Sequence, residues 1–388
     1  MYTKIFTKTD KILEEELLSL KYTSYFQSKN WADFQSEYFN RKFWFINFYE
    51  NSKIISSCLV LKIKLPFNKN YLYIPAGPDL YDYTSDIYKN LISEIYNIAK
   101  KERSIFLKME STFSDKDMFD GSISSNLMTF YNNAYNFFVK TLGFSKSYEN
   151  KIPNNTLFID LSKDENQILK EMKQKGRYNI KKAEEYGIKI EKTKNPDSKE
   201  FNEFWKLTKE TTKRDKFSSN PKDYYFNLLK FLNSKNIETY LYSAYFENKI
   251  IASAISVFYK NKATYYYGAS SNKYRNLMAP YLLQWQMIKD AKYSNMKVYD
   301  FLGIYSSYYE ENGNYIVNDS FNRIKFKKKE TVENFLNKHN FSGITEFKTK
   351  FGGEVINYMG SCDLIYNKFW YFIIKISKKI RKLKRKII

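Results

Sequence analysis

The chain has 388 residues, a length that predicts two or three domains, and its hydrophobic content of 43% is enough to build a sizeable core. The net charge of +22 indicates a polyanionic partner such as nucleic acid, a phosphorylated substrate or an anionic membrane, although general lysine enrichment gives the same balance. Two cysteines without metal or disulfide spacing and a single histidine exclude a disulfide scaffold, a histidine metal cluster and most histidine-centred catalysis.

The first third of the sequence predicts strands that alternate with helices. The predicted elements are a helix at 11–22, an aromatic-rich segment entering a helix at 24–34, strands at 43–49 and 54–65, an extended segment at 71–78, a helix at 84–101 and a strand at 104–109. The helix at 84–101 is amphipathic, because Ile87, Leu91, Ile95 and Ile98 recur at helical spacing. Glu110 ends the last strand, where a carboxylate either pairs with a lysine or serves a reaction.

The same order of elements recurs after residue 238. It comprises strands at 239–246, 250–258, 263–267 and 297–302, with a helix at 279–292 before the last strand. Three pairs of equivalent residues keep nearly constant separations of 197, 191 and 192 residues, namely the turn residues Glu50 and Glu247, the turn residues Gly77 and Gly268, and the helical residues Ala99 and Ala291. These offsets indicate a duplicated unit. Its order predicts an α/β fold, with helices packed on a mixed central sheet.

A strongly basic helix is predicted between the two repeats. Residues 151–155 are predicted to form a linker and residues 157–161 a strand, and a helix begins at Asp164. Its basic face carries Lys175, Arg177, Lys181 and Lys182. Such a face follows a phosphate backbone in nucleic-acid-binding proteins, and the alternative is a solvated helix in a lysine-rich chain.

The last third contains segments without a counterpart in the repeat. Residues 305–342 are polar and predict an insertion or a mobile loop. Phe347-Lys348 lie before the glycine pair Gly352-Gly353, a pattern that is typical of a strand end with a solvated lysine. Nine basic residues and no acidic ones lie between Lys368 and Ile388, which leaves a net charge of +13 on the first 367 residues.

The tail also bears on the location of the protein. Its apolar run at 369–374 is far short of the roughly 20 residues that span a bilayer, and the N-terminal residues contain no apolar signal core. We expect a cytoplasmic protein whose tail attaches it to the inner face of the cytoplasmic membrane. RNA binding and disorder are the alternatives for this segment.

The order of each repeat is also that of GNAT-type acyltransferases, in which a helix N-terminus faces the phosphates of the acyl donor. The corresponding loop, 271–279, lacks the glycine-rich phosphate cradle of that class. This departure argues against acyl-CoA as the donor. Arg275 in the same loop is either a phosphate ligand or a solvated surface residue.

Seven groups of residues occur along the chain in an order that is more specific than any group alone. They are Gln27-Ser28 with Trp31; Met172 with Arg177-Tyr-Asn-Ile180-Lys-Lys-Ala183; Arg214-Asp215; Tyr267-Gly-Ala-Ser270; Ala279-Pro280-Tyr-Leu-Leu-Gln284-Trp; Tyr299-Asp300-Phe-Leu-Gly303-Ile304; and Gly343-Ile344 with Phe347-Lys348 and Phe351-Gly352-Gly353. In this order they resemble the FemABX family of peptidoglycan aminoacyltransferases, over nearly the whole chain.

The resemblance implies two tandem GNAT-like domains, each a mixed central sheet flanked by helices, in an α/β (α+β) fold. We expect the first domain at 1–150, completed by 351–367, the second at 151–350, and a basic amphipathic tail at 368–388. The implied reaction moves an amino acid from aminoacyl-tRNA to the side-chain amine of the third residue of a peptidoglycan stem peptide. The implied acceptor is a lipid-linked or UDP-linked muropeptide, and no metal, CoA or other cofactor is implied.

The resemblance also assigns catalytic residues. Phe347 and Lys348 match a Phe-Lys pair at the tRNA acceptor end, where a lysine cation stabilises the developing oxyanion and an aromatic ring stacks on a terminal base. Glu110 falls where the family has a carboxylate near the reacting amine, which has to lose a proton before it attacks. The basic face at Lys175, Arg177, Lys181 and Lys182 becomes the predicted tRNA-binding surface.

The acceptor site is predicted in the same way. Three residues match positions that hold the acceptor's phosphate and sugar: Tyr224, Tyr267 and Ser218. Asn220 and Gln35 stand where the family has an arginine and a lysine, so two charge-assisted contacts are lost, each worth about 1.5–3 kcal/mol. This loss favours a lipid-linked over a UDP-linked acceptor. Lys29 and Lys222 are the candidates to replace the lost charges.

Two other functions are consistent with the same sequence. One is a GNAT-like N-acyltransferase that uses another acyl donor on a cell-envelope precursor, and saturable CoA binding would favour it. The other is a non-enzymatic basic module that binds RNA or membrane. In that case deletion of the tail has a phenotype and substitution of Tyr267 or Glu110 has none.

Overall fold

The computed structural model describes residues 1–20, 24–78, 86–114, 136–215, 217–304, 308–311, 314–319, 322–337 and 342–387. These residues form two compact units. Unit 1 contains the described residues within Met1–Asp115, Ser125–Asn154 and Tyr358–Ile388, and unit 2 contains those within Asn155–Asn357. Strand β16 (Glu354–Ile365) contributes residues to both units, and every other described strand and helix belongs to one unit.

The described helices and strands follow one another in an α/β order. The helices are α1 (Lys11–Ser19), α2 (Lys29–Glu37), α3 (Asp86–Glu102), α4 (Glu165–Glu171), α5 (Gln174–Glu185), α6 (Lys199–Asp215), α7 (Lys222–Phe231), α8 (Ala279–Tyr293), α9 (Lys329–Asn337), α10 (Ser342–Lys348) and α11 (Lys368–Ile387). The strands are β1 (Tyr2–Phe6), β2 (Phe43–Glu50), β3 (Lys53–Leu65), β4 (Lys69–Ile74), β5 (Phe106–Ser114), β6 (Ser145–Lys146), β7 (Asn155–Asp160), β8 (Lys189–Thr193), β9 (Ile237–Phe246), β10 (Lys249–Tyr259), β11 (Lys262–Ser270), β12 (Val298–Asp300), β13 (Tyr308–Glu311), β14 (Asn314–Asp319), β15 (Asn322–Phe326) and β16 (Glu354–Ile365).

In unit 1 the strands pair in the order β1-β2-β3-β4-β5-β16, and β6 also pairs with β16. The β2–β3 hairpin turns at Asn51 and Ser52, which both have positive φ, a geometry that matches the right-handed twist of the flanking strands. Helix α3 connects β4 to the parallel strand β5. It buries Leu91, Ile95 and Ile98, as its helical spacing predicts.

Unit 2 repeats this arrangement. Its strands pair in the order β16-β7-β12-β11-β10-β9-β8, with residues 354–357 of β16 against β7. The β9–β10 hairpin turns at Glu247 and Asn248, again with positive φ, and α8 connects β11 to the parallel strand β12. The predicted duplication of an α/β unit is therefore confirmed, element by element and pairing by pairing.

Several predicted elements differ from the structure. The basic segment after Asp164 is two helices rather than one, because the Lys173 N–H bonds to the Lys350 carbonyl instead of continuing α4. Glu110 does not end its strand, since antiparallel pairing with β16 carries β5 on to Ser114. Gly268 lies inside β11 rather than in a turn.

The segment 305–342 also differs from the prediction of a mobile loop in the part that the structure describes. Strands β13, β14 and β15 form a three-stranded antiparallel sheet, and α9 follows them. This segment has no equivalent in unit 1 within the described residues, which agrees with the alternative of an insertion.

The C-terminal tail is helical, because α11 runs from Lys368 to Ile387. The predicted alternative of a disordered tail is therefore wrong for these residues. Among the described residues, none of the helices combines the length and the apolar character that crossing a membrane requires.

Candidate active site

Lys348 is the last residue of α10, and a short 3-10 turn, Thr349–Phe351, follows it. Its side chain is almost wholly buried, with 7% of the residue exposed. The sequence pattern alone was typical of a solvated lysine at a strand end, and this interpretation is wrong. Burial results from the packing of α10 and the 3-10 turn against the core of unit 2, which includes Phe351.

The ammonium group of Lys348 bonds to the turn that follows β12. Lys348 Nζ donates to the carbonyl oxygens of Leu302 and Gly303, at 2.9 and 2.6 Å. Asp300 holds this turn, because its Oδ1 accepts from the Leu302 N–H at 2.7 Å and from the Thr156 hydroxyl. Since an ammonium group has three N–H donors, one donor remains beyond these two carbonyl contacts.

Burial of this lysine changes its chemistry. Removal from water disfavours the charged form and lowers the pKa of Lys348 from 10.5 to about 7, while the charge of Asp300 acts in the opposite direction. Asp300 itself is 2% exposed and lies 3.4 Å from Lys262 Nζ. Lys348 therefore titrates near neutral pH and exchanges its proton where an ordinary lysine remains charged.

An aromatic cluster surrounds Lys348. The ring of Phe347 lies 4.9 Å from that of Tyr281 and 5.5 Å from that of Phe351, each in an edge-to-face arrangement. The ring centroid of Tyr265 lies 5.6 Å from Lys348 Nζ. Phe347 is only partly buried, so part of its surface is open to a ligand.

A β-bulge assigns the neighbouring tyrosines of β11 to opposite faces of the sheet. Tyr267 pairs with Ile255 and Tyr265 with Ser256, so two residues of β11 advance the register by only one residue of β10. Because Ile255 and Ser256 are consecutive in a strand, they face opposite sides. Tyr265 therefore faces the Lys348 cluster and Tyr267 faces the other side.

On that other side, three of the predicted acceptor-binding residues meet. The hydroxyls of Tyr224 and Tyr267 lie 3.2 Å apart, and Asn220 Nδ2 donates to the Tyr267 hydroxyl at 3.3 Å. Burial raises the pKa of Tyr224 and of Tyr267 well above the ordinary value, so both phenols stay neutral donors. Ser218 lies exposed in the preceding loop.

The predicted tRNA-binding residues share α5, and their roles in the fold differ. Lys175 and Lys181 are exposed, and Lys182 is half-buried. Arg177 is also exposed, but its guanidinium caps the end of α4 by donating to the carbonyl oxygens of Leu169, Lys170 and Met172.

Helix α5 packs directly against the segment that follows Lys348. A side chain at Gly176 would overlap the Lys350 carbonyl oxygen, so the helix needs glycine at this position to approach so closely. The hydrogen bond from Lys350 lowers the pKa of Glu346, next to Phe347, and the charge of Lys175 contributes in the same direction. The basic helix and Lys348 therefore belong to one region of unit 2.

Glu110 lies in unit 1, where it is 3% exposed. Its carboxylate accepts hydrogen bonds from the hydroxyls of Tyr73 and Ser361 and from the N–H groups of Lys151 and Ile152. These bonds join β4, β5, β16 and the segment at 151–152.

Gln35, the other predicted acceptor residue in unit 1, is 3% exposed and accepts a hydrogen bond from the Arg41 guanidinium. Arg41 is half-buried, and its guanidinium lies 4.0 Å from the ring centroid of Phe39. Sequence reasoning named Lys29 and Lys222 as replacements for the lost charge and did not consider Arg41, the cation that bonds to Gln35. Its position six residues after Gln35, beyond the end of α2, was the available signal.

The charge of Arg41 also acts on Lys151. Lys151 is exposed as a residue, yet its Nζ lies over the rings of Tyr71 and Tyr73, at 5.5 and 4.9 Å from their centroids. This local burial, with a further contribution from Arg41, lowers the pKa of Lys151 to about 8. Arg41, Lys151 and Glu110 thus form one charged cluster in unit 1.

Comparison with known proteins identifies relatives along most of the chain. The model of the FemAB family matches residues 18–247 and 235–379. The aminoacyltransferase FemA of Staphylococcus aureus (strain bovine RF122 / ET3-1) is 19% identical, over 85% of this chain and 88% of its own length. The lipid II:glycine glycyltransferase of Staphylococcus haemolyticus (strain JCSC1435) is 22% identical, over 86% of each chain.

Solved structures show the same fold. The crystal structure of FemX superposes with a TM-score of 0.73 at 17% identity, covering 96% of this chain and 100% of that one. A tandem GNAT protein from the clavulanic acid biosynthesis pathway superposes with a TM-score of 0.50 at 8% identity, covering 94% and 98%. The predicted tandem GNAT-like fold is therefore confirmed.

Proposed function

Since this chain belongs to the FemAB family and is an aminoacyltransferase, we propose that it moves an amino acid from aminoacyl-tRNA to the side-chain amine of the third residue of a peptidoglycan stem peptide. The proposed acceptor is lipid-linked, as the printed name of one relative states for that relative. The enzyme would work at the inner face of the cytoplasmic membrane and build the interpeptide bridge or branch.

The transfer needs negative charge to be stabilised as it develops. The acceptor amine attacks the ester carbonyl of the aminoacyl-tRNA, a C–N bond forms, and the carbonyl oxygen becomes an oxyanion. When the carbonyl re-forms, the C–O bond to the ribose breaks, and the departing ribose oxygen takes the proton that the attacking nitrogen loses. Lys348, in its ammonium form, has an N–H donor left after its contacts to Leu302 and Gly303, and we assign this donor to the oxyanion.

Two features of unit 2 support aminoacyl-tRNA as the donor substrate. Exposed Lys175 and Lys181 lie on α5, which packs against the segment after Lys348, so a phosphate backbone on this helix would lead towards the reactive lysine. The partly buried ring of Phe347 would stack on the terminal base.

The acceptor is proposed to contact two groups. One is the neutral pair Tyr224 and Tyr267, whose hydroxyls hydrogen-bond phosphate or sugar oxygens without a charge penalty. The other is Arg41, which offers a guanidinium beside Gln35, where the family has a lysine. The proposal that Glu110 orients the reacting amine stays a prediction, since the donors around Glu110 already serve the fold of unit 1.

The observation that carries the proposal is the buried Lys348, with a pKa of about 7 and two carbonyl partners. The test measures transfer from charged tRNA to lipid-linked muropeptide by the full chain, by Lys348→Met and by Lys350→Met. We expect Lys348→Met to lower kcat by about 10²–10³-fold, as loss of an oxyanion donor does. Lys350→Met, a matched control whose exposed partner is Glu346 at 2.7 Å, should lower it less than threefold.

Two results would contradict the proposal. If the wild-type chain transfers no amino acid under conditions in which a FemAB relative does, the reaction is wrong. If Lys348→Met and Lys350→Met have equal rates, Lys348 has no part in the chemistry. Saturable binding of CoA in calorimetry would instead favour an N-acyltransferase with another acyl donor.

A further inference from the structure

Helix α11 packs on unit 1 through one face. Tyr371 and Ile374 are each 8% exposed, and the Tyr371 hydroxyl donates to Asp363 Oδ2 at 2.7 Å. Further along the same face, Lys378 forms an ion pair with Glu149. These contacts fix the rotation of the helix about its axis and therefore determine which side chains face solvent.

The opposite face of α11 is apolar and exposed. Successive residues of a helix are rotated by 100° about its axis. By this rotation the exposed apolar side chains lie about half a turn away from Tyr371, Ile374 and Lys378. The exposed stripe consists of Phe369, Phe372, Ile373, Ile376 and Ile380, of which Phe369 is 67% and Phe372 59% exposed. A helix that needed only to cover unit 1 would carry polar residues there.

One flank of this stripe is cationic. Lys368, Lys375 and Lys379 are exposed along one edge of it, and no acidic residue occurs between Lys368 and Ile388. An apolar stripe bordered by lysines has the composition of a helix that lies in the plane of an anionic membrane.

A further exposed aromatic residue lies beside the start of α11. Phe67, in the turn between β3 and β4, is 79% exposed, and its ring centroid is 6.4 Å from that of Trp370. Lys69 Nζ lies 4.6 Å from the Trp370 ring centroid. The turn and the helix thus present apolar and cationic groups together.

A pocket of about 530 Å³ opens at the same place. Three of its lining residues are cations, Lys69, Lys100 and Arg103, and none of its lining residues is acidic. Trp370 is part of its wall, and the residues before α11 complete it. A pocket lined by three cations and a tryptophan fits a phosphate group that is attached to an apolar group.

We propose that unit 1 binds the surface of an anionic phospholipid bilayer. The exposed stripe of α11 and Phe67 enter the acyl boundary, and the pocket of Lys69, Lys100 and Arg103 takes the phosphate of one lipid headgroup. The cationic residues favour an anionic bilayer over an apolar protein surface as the partner. The five exposed aliphatic and aromatic side chains of the stripe favour a bilayer over RNA, because a phosphate backbone offers no apolar surface to bury them. The inference does not depend on the transfer reaction.

The test measures cosedimentation of the full chain with vesicles of phosphatidylglycerol and phosphatidylcholine (1:1), and with phosphatidylcholine alone. We expect binding to the mixed vesicles, weakened at least tenfold by omission of phosphatidylglycerol or by high salt. Phe369→Ser with Phe372→Ser should weaken binding to the mixed vesicles at least tenfold. Ile12→Ser, a substitution of another exposed apolar side chain of unit 1, is the matched control and should change it less than twofold.

The pocket has its own pair of variants. Lys100→Gln with Arg103→Gln should weaken binding to the mixed vesicles about fivefold, and Lys53→Gln with Lys64→Gln, which removes two exposed lysines of unit 1, should weaken it less than twofold. Inorganic phosphate in tenfold excess over lipid phosphate should not displace the protein. If it does, the pocket is a site for soluble phosphate and its assignment to a lipid is wrong.

Three results would overturn the membrane assignment. The first is that the wild-type chain does not cosediment with mixed vesicles. The second is that the phenylalanine variant binds the vesicles as well as the wild type does but loses a dimer that the wild type forms in sedimentation velocity. The third is that a transfer RNA competes for the stripe and the phenylalanine variant loses RNA binding alone. Circular dichroism of each variant verifies folding. Because the vesicles contain no transfer substrate, failure here leaves the proposed reaction to its own assay.

Discussion

Each unit buries a lysine, and the two lysines have opposite surroundings. In unit 1, Lys108 is 0% exposed and lies 3.4 Å from Asp363 Oδ1, which is equally buried. Lys108 Nζ also donates to the Ser147 hydroxyl and to the Glu149 carbonyl oxygen. In unit 2, Lys348 donates to two carbonyl oxygens, and Asp300, a carboxylate whose charge raises the pKa of Lys348, is already bonded to Thr156 and Leu302.

The difference between a carboxylate partner and carbonyl partners indicates which buried lysine can take part in a reaction. A buried ammonium with a carboxylate partner is held as an ion pair, and removal of either member leaves an uncompensated charge. A buried ammonium with only dipoles as partners is held less strongly in its charged form, so its pKa falls into the neutral range. We infer that Lys108 serves the fold of unit 1 and Lys348 serves the reaction.

The largest expected effect is on the stability of unit 1. Lys108→Met leaves Asp363 buried without its cation, which should lower the free energy of unfolding by about 3–5 kcal/mol. Urea unfolding followed by fluorescence measures this. Lys42→Met removes a lysine that is 66% exposed from its pair with Glu102 and should cost less than about 1 kcal/mol. Equal losses in the two variants would show that Lys108 and Asp363 are not a coupled pair.

The second prediction concerns the pH dependence of stability in unit 2. Because the pKa of Lys348 is about 7 in the folded chain and 10.5 ordinarily, the unfolded chain binds more protons between these values. The free energy of unfolding of the wild type should therefore rise relative to that of Lys348→Met, by up to about 1.4 kcal/mol per pH unit above pH 7. Below pH 7 the difference should be constant. Parallel curves from pH 7 to 9 would contradict a lowered pKa.

The third prediction concerns Asp300, the carboxylate whose charge raises the pKa of Lys348 while burial lowers it. In Asp300→Asn, the pKa of Lys348 should fall further below 7, so less ammonium is present at neutral pH. We expect the transfer rate at pH 7 to fall about tenfold. The ratio of the variant's rate to that of the wild type should recover when both are measured at pH 6. A ratio that is independent of pH would indicate that Asp300 acts through the turn at Leu302 alone.

The smallest effect is expected at Gly268. A methyl group there would overlap the Tyr265 hydroxyl, so Gly268→Ala should displace this ring from beside Lys348, at a cost of about 1 kcal/mol. Water would then reach Lys348, and its pKa should move up towards 10.5. The pH dependence of unfolding measures the shift. Gly343→Ala, at a position with nothing within 4 Å of the added carbon, is the matched control.

Much of the fold was predictable because it depends on local patterns. The apolar spacing of α3 and the similar hairpin turns that begin at Asn51 and Glu247 predicted the repeated elements. The bulge at Tyr265 and Tyr267 was not predictable, because side-chain alternation is broken by pairing with β10 and not by any residue type in β11. The two tyrosines look equivalent in sequence and face opposite sides of the sheet.

For the site residues too, the sequence indicates which residues are present, and the tertiary structure determines which side chains they contact. The resemblance selected Phe347 and Lys348, and both lie in one aromatic cluster. It also selected Gln35, whose side chain accepts a hydrogen bond from the Arg41 guanidinium. The identity of a residue at a family position is visible in the sequence, whereas the side chain that contacts it depends on the tertiary structure.

The sequence by itself determined the duplicated α/β order, the basic balance and the family, since each depends on composition, periodicity or the order of motifs. Only the tertiary structure decided that Lys348 is buried against carbonyl oxygens while Lys108 is buried against a carboxylate. The physical reason is that a pKa depends on the solvent and charges around a group, and these are brought together by residues far apart in the chain.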